Sequence, residues 1–183
     1  MAETYDLLSS YTVTSGSGDA TITLSGLSTD YDDLSLFVEG YSTSAGNSKV
    51  GLNFNSSTTT TWSQMIWKAN GTTDFTAQSE NVWGGSGTVS LDECSWGYMS
   101  TESNYWFAFQ FYIIGYRNTS VPTEVMVTTL SLPTTDAHCV SGYGGYQLCE
   151  TTEVTSINLK VHDSAAEFAQ NSTVRLYGIK HTV

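Results

Sequence analysis

Basic residues are scarce in this chain. Six Lys and Arg stand against eighteen Asp and Glu in 183 residues, a formal net charge of -12. Lys49, Lys68, Arg117, Lys160, Arg175 and Lys180 are scattered along the sequence. A phosphate backbone requires clustered Lys and Arg, and an anionic membrane requires a polybasic segment. Nucleic acid is therefore not an expected partner. Apolar runs are short as well: none approaches the ~20 residues needed to cross a bilayer, and no membrane insertion is expected. The first residues offer neither a basic segment nor an apolar one, so export by the usual leader is not expected. Proline is limited to Pro122 and Pro133, both beside apolar runs, where a strand can start or stop without losing a ladder hydrogen bond. Helical periodicity is almost missing; only Ser164 to Phe168 suggests a single turn.

Cysteine is also sparse: Cys94, Cys139 and Cys149. An odd count with no leader argues against a disulfide framework, which favours free thiols. Cys139 and Cys149 nevertheless flank a Gly-rich stretch, Val140 to Leu148, read here as a loop that could return on itself and allow a bridge. Such a bridge would contribute on the order of 3 kcal/mol. A zinc reading through His138, Cys139 and Cys149 lacks a fourth ligand and the paired C-x-x-C of structural sites. No metal or cofactor is expected.

What the chain has in quantity is Ser, Thr, Gly and aromatics, and a two-residue apolar rhythm. Leu34, Leu36 and Val38 alternate with Ser35, Phe37 and Glu39, and Val50, Leu52 and Phe54 with Gly51, Asn53 and Asn55. Trp62 to Trp67 and Val89 to Leu91 are shorter candidates. Tyr105 to Ile114 is the strongest strand, with Phe107, Phe109, Phe111 and Ile113 on one face and Trp106, Ala108, Tyr112 and Ile114 on the other. A strand apolar on both sides is either central in its sheet or half covered by a neighbouring subunit. Glu124 to Leu132 follows, and Ile157, Leu159, Val161, Val174 and Leu176 mark two more strands near the end. Short strands separated by Gly- and Ser-rich turns predict an all-β fold, a single β-sandwich of jelly-roll type over residues 1–183. The expected core is Phe107, Phe109 and Phe111 with Leu36, Leu52, Leu159 and Leu176.

Chemistry is thin by comparison. His138, His162 and His181 stand apart from any candidate nucleophile, and neither G-x-S-x-G nor H-E-x-x-H occurs. The pairs Asp32-Asp33 and Asp92-Glu93 are sequence neighbours, which a strand sends to opposite faces. No catalytic residue is assigned, and the chain is not expected to be an enzyme. Aromatics make up 13% of the residues, and several sit beside glycine. Trp83, Trp96, Tyr98, Tyr143 and Tyr146, on segments read as loops, are candidates for a ligand site or an interface. Packing of loops onto the sandwich, or filling of a subunit contact, is the plainer reading of these rings.

The two ends carry a further signal. The C-terminal stretch runs Ser156-Ile157-Asn158-Leu159-Lys160-Val161, a polar bend with Phe168, then Ser172-Thr173-Val174-Arg175-Leu176-Tyr177-Gly178-Ile179-Lys180. It resembles small β-sandwich virion proteins of tailed bacteriophages, which serve as capsid decoration (cement) proteins and as distal domains of tail fibres and tailspikes. Tyr5 to Val13 followed by Ala20 to Leu24 is similar to the start of the same proteins. The resemblance implies a sandwich fold, a structural role and no catalytic residue. Because the first strand begins by Tyr5, a free-standing decoration protein is expected rather than a fibre subunit with a stalk. The expected setting is the outer capsid surface of the virion, assembled in the bacterial cytoplasm. The expected partners are the major capsid protein and further copies of the chain as a homotrimer. The alternative is a carbohydrate- or receptor-binding module of a tail fibre or tailspike, with a host-surface glycan as ligand.

Overall fold

The structure, a computed structural model, describes residues 3–14, 18–19, 21–41, 43, 48–55, 62–70, 74–78, 95–99, 106–132, 140–148, 151–161 and 167–181. Among them every regular element is a strand: β1 (Glu3–Thr12), β2 (Thr21–Ser25), β3 (Asp33–Tyr41), β4 (Ser48–Phe54), β5 (Trp62–Asn70), β6 (Asp74–Gln78), β7 (Ser95–Met99), β8 (Trp106–Ile114), β9 (Glu124–Leu132), β10 (Val140–Leu148), β11 (Ser156–Val161) and β12 (Thr173–His181). They form two antiparallel sheets. The large one has eight strands in the order β1-β12-β3-β8-β9-β10-β5-β6, and the small one has four in the order β2-β11-β4-β7. The expected all-β sandwich is what the chain forms.

Alternation decides which face of each strand is buried. In β2 the pattern places Ile22 and Leu24 inside and Thr21, Thr23 and Ser25 outside. The small sheet contributes these two side chains, Val50, Leu52 and Phe54 of β4, and Ile157, Leu159 and Val161 of β11. The large sheet answers with Leu34, Leu36 and Val38, then Phe107, Phe109, Phe111 and Ile113, then Val125 and Val127, and finally Val174 and Leu176. All seven side chains expected in the core are at most 2% exposed. The doubly apolar strand proves to be interior: β8 lies between β3 and β9, with Trp106, Ala108, Tyr112 and Ile114 half-buried on its outer side.

The two terminal segments lie beside each other in both sheets, β1 against β12 and β2 against β11. Phe168, the aromatic of the polar bend, is fully buried, bridges to Asp19 and packs 6.1 Å from the ring of Phe107. It sits in a bridge rather than a helical turn; Ser164 to Ala166, the rest of that expected turn, lie outside the described residues. Gly178 is glycine because the ring of Tyr31 covers it: an added Cβ would lie 2.4 Å from Tyr31 Cγ. Tyr31 in turn donates to Asp6 Oδ2 at 3.1 Å, fastening the loop before β3 to β1. Asn55 adopts a left-handed φ of 54°, and its side chain holds the segment that leads into β11. Its Oδ1 accepts from the backbone N–H of Thr155 at 2.7 Å, and its Nδ2 donates to the carbonyl of Glu153 at 2.8 Å.

One expectation about chain path is corrected. Val140 to Leu148 is a strand, paired in register with β9 on one side and β5 on the other. Its glycines are accommodated because both neighbours supply complete hydrogen-bond ladders. Nine residues of strand span about 26 Å, so the return that a Cys139–Cys149 bridge relied on does not occur within it. Cys94, Cys139 and Cys149 themselves, and with them His138 of the zinc reading, lie outside the described residues, as does the expected short strand Val89 to Leu91.

Candidate functional site

The outward faces of the two sheets differ in chemistry. On the small sheet, Thr21, Thr23 and Ser25 of β2 face outward beside Ser156, Asn158 and Lys160 of β11. Thr23 Oγ1 donates to Asn158 Oδ1 at 2.7 Å, and Asn158 stands opposite Asn53 of β4. Over β2, β11 and Asn53 of β4 that face is polar. On the large sheet the positions left over by the core include rings and long apolar side chains. Register places Leu7, Tyr177, Ser35, Tyr112 and Met126 in one row across β1, β12, β3, β8 and β9. The next row runs Arg175, Phe37, Gln110 and Thr128, and the one after it Thr173, Glu39, Ala108 and Leu130. Tyr5, Leu7 and Met126 are 52%, 57% and 58% exposed, and Tyr41 and Leu130 are exposed as well.

Near the β1 edge these rows enclose a shallow cavity of about 340 Å³ lined by Tyr5, Phe37, Arg175 and Tyr177. The rings of Phe37 and Tyr177 meet edge to face, with centroids 5.7 Å apart and planes at 88°. Arg175 Nη1 donates to Glu39 Oε1 at 2.8 Å, and Thr173 Oγ1 donates to the same oxygen at 3.1 Å. A carboxylate with its own cation and hydroxyl is well satisfied there, yet both charged side chains stay about two-fifths exposed, at 41% and 40%.

Further along β3 from Phe37, in the row of Tyr5 and Ile179, the same face is organised by Asp33, a buried carboxylate. Its Oδ1 accepts from the backbone N–H of Gly115 at 2.8 Å, and its Oδ2 accepts from Tyr112 Oη at 3.2 Å and lies 2.7 Å from His181 Nε2. These contacts tie the ends of β3, β8 and β12 together. Hydrogen bonds to a buried acid are worth keeping, because an unpartnered charge there would cost several kcal/mol, about the penalty per ion in a protein interior. The tyrosine hydroxyls off this face are held protonated to a higher pH than usual, each for its own reason. Tyr116 is raised by burial. Tyr11 is raised first by its bond to Asp19 and then by desolvation, and Tyr31 by desolvation and then by Asp6.

The aromatics singled out in the sequence are distributed over both sheets. Trp96 and Tyr98 belong to β7 of the small sheet, opposite Val50 and Lys49. Tyr143 and Tyr146 belong to β10 of the large one. None of these four is on a loop, which corrects the loop expectation; Trp83 lies outside the described residues. In register Tyr143 is opposite Thr128 and Trp67, and Tyr146 is opposite Val125 and Gln64. The residues that do line the cavity, Tyr5, Phe37, Arg175 and Tyr177, were read in the sequence only as strand members. Their signal was a ring at an outward position of an alternating strand, where Ser or Thr is the ordinary occupant.

No protein-family model matches the chain. No curated protein matches it either. Among solved structures it is similar to a galectin of Caenorhabditis elegans, LEC-6, at 10% identity over 94% of this chain and 96% of that one, with a TM-score of 0.31. It is also similar to the PL-14 alginate lyase of Aplysia kurodai, at 7% identity over 85% of this chain and 72% of that one, with a TM-score of 0.27. Likenesses at that level bear on neither activity nor ligand.

Proposed function

We propose that this chain is a structural protein of a bacteriophage virion, a capsid decoration protein that binds the outer shell through the outward face of its large sheet. One observation carries the reading: Leu7, Tyr41, Met126 and Leu130 are exposed on that face, while the outward positions of β2 and β11 in the small sheet present Thr, Ser, Asn and Lys. Apolar area on one face of a sandwich is withdrawn from water only by another surface. At about 25 cal/mol per Å² a modest contact stabilises an assembly by many kcal/mol before association entropy is subtracted. The polar outward face of β2 and β11 and the net charge of -12 keep that side solvated and averse to random association. The resemblance of the two terminal segments to phage virion sandwiches supplies the kind of particle. Three-fold sites of a shell suit a trimer.

Stoichiometry on purified virions tests this reading. Hundreds of copies per particle are expected for a decoration protein, and a few to a few dozen would place it on the tail. Binding to empty capsids in vitro should be abolished by a paired Met126→Asp and Leu130→Asp change, which alters the face without touching the core. The second reading, a module that binds a host-surface glycan, is favoured by the ring-lined cavity at Tyr5, Phe37, Arg175 and Tyr177.

A further inference from the structure

We infer that the cavity at the β1 edge of the large sheet is a subsite for one neutral saccharide ring, seated in the corner of Phe37 and Tyr177 beside Tyr5 and hydrogen-bonded to the Arg175–Glu39 pair. This deepens the glycan reading and rests on it. The lining decides the ligand class. Phe37 and Tyr177 stand at 88° to each other, so they form a corner and not a flat slot. Such a corner can receive a puckered ring with its apolar C–H face against one aromatic side chain and its polar rim turned toward the Arg175–Glu39 pair. The cavity, at about 340 Å³, is at the small end of the ~300–1,000 Å³ usual for small-ligand sites.

Charge narrows the class further. Glu39 already neutralises Arg175 at 2.8 Å, so an anionic ligand finds no unspent cation and meets a chain of net charge -12. A cationic ligand meets a carboxylate that Arg175 and Thr173 already satisfy. The pair can still take part in neutral hydrogen bonding, because a guanidinium has five N–H donors and a carboxylate about four lone-pair sites. Vicinal hydroxyls, each both donor and acceptor, match such a pair. An apolar side chain of a partner protein would satisfy the rings but desolvate the ion pair without bonding to it, which is costly.

Saturation-transfer NMR on the whole chain tests the inference. The probes are the methyl glycosides of galactose, glucose, mannose and N-acetylglucosamine at millimolar concentration, with N-acetylneuraminic acid as the anionic probe and N-acetyltyrosinamide as the side-chain probe. Saturation is expected on the ring C–H protons of at least one neutral glycoside. Tyr177→Ala and Arg175→Met should each weaken that binding about tenfold, as loss of one ring contact or one charged hydrogen bond implies. Arg175→Met keeps the stem of the side chain, so it remains informative if Tyr177→Ala fails to fold; an unchanged melting temperature verifies this. Absence of transfer to every neutral glycoside overturns the inference, as does transfer that both variants leave intact, or stronger binding of either of the other two probes. Virion stoichiometry is untouched by any of these results, so failure here is distinguishable from failure of the decoration reading.

Discussion

Replacing Phe109 by Ala removes a ring from the middle of the core. Phe109 is 2% exposed, its ring centroid is 5.2 Å from that of Phe107 and 6.2 Å from that of Phe111, and its backbone stands opposite Val38 and Thr129. Three losses add. Burial of the side chain is worth about 1.5–3 kcal/mol. Each aromatic pair adds about 0.5–1.5 kcal/mol. The hole collapses only partly, because β8 is held by complete ladders to β3 on one side and β9 on the other. Together the expected cost is about 3–5 kcal/mol, the usual range for such a change. For a chain of this size that lowers the melting temperature by about 2–4 °C per kcal/mol, roughly 10 °C in all. Urea unfolding should show a lower midpoint at an unchanged slope. Gln110→Ala, one residue along on the exposed face, is the internal control; it loses a 3.4 Å hydrogen bond to Ser35 Oγ and should cost no more than about 1 kcal/mol. A Phe109→Ala cost below about 1 kcal/mol would refute the assignment of faces on β8, and with it the sandwich packing.

Other expectations follow from named contacts. Gly178→Ala forces a methyl group into the Tyr31 ring and should cost about 1–3 kcal/mol by overpacking, read by urea unfolding; a neutral result would mean the ring moves aside freely. Tyr116 titrates above the ordinary tyrosine value of 10.0 because it is buried, so the folded chain holds that proton longer than the unfolded one. Its contribution to stability is therefore complete below pH 10 and is lost as pH rises through the folded value; Tyr116→Phe should flatten that alkaline decline. The same change removes the hydroxyl that donates to the Ser28 carbonyl and should cost about 1 kcal/mol at neutral pH. Light scattering should give a mass near three chains of 19.9 kDa, and a monomer at micromolar concentration that also ignores empty capsids would remove the decoration proposal.

The class of fold and most of the core were legible in the order of residues alone. Period-2 alternation is a local property, and Leu34-Ser35-Leu36-Phe37-Val38 or Ile157-Asn158-Leu159 declare a buried side wherever the strand is placed. Charge balance was equally legible, since it depends on counts alone. What alternation cannot say is which sheet a strand joins or what covers its second face. Tertiary pairing decided that β12 lies between β1 and β3, and so brought Tyr5, Phe37, Arg175 and Tyr177 to one cavity from distant parts of the chain. It also overruled the glycines of Val140 to Leu148. Glycine weakens a strand through backbone entropy, and by that local measure the stretch reads as a loop. Ladders from β9 and β5 on both sides offset the loss, and those ladders exist only once strands remote in sequence have come together.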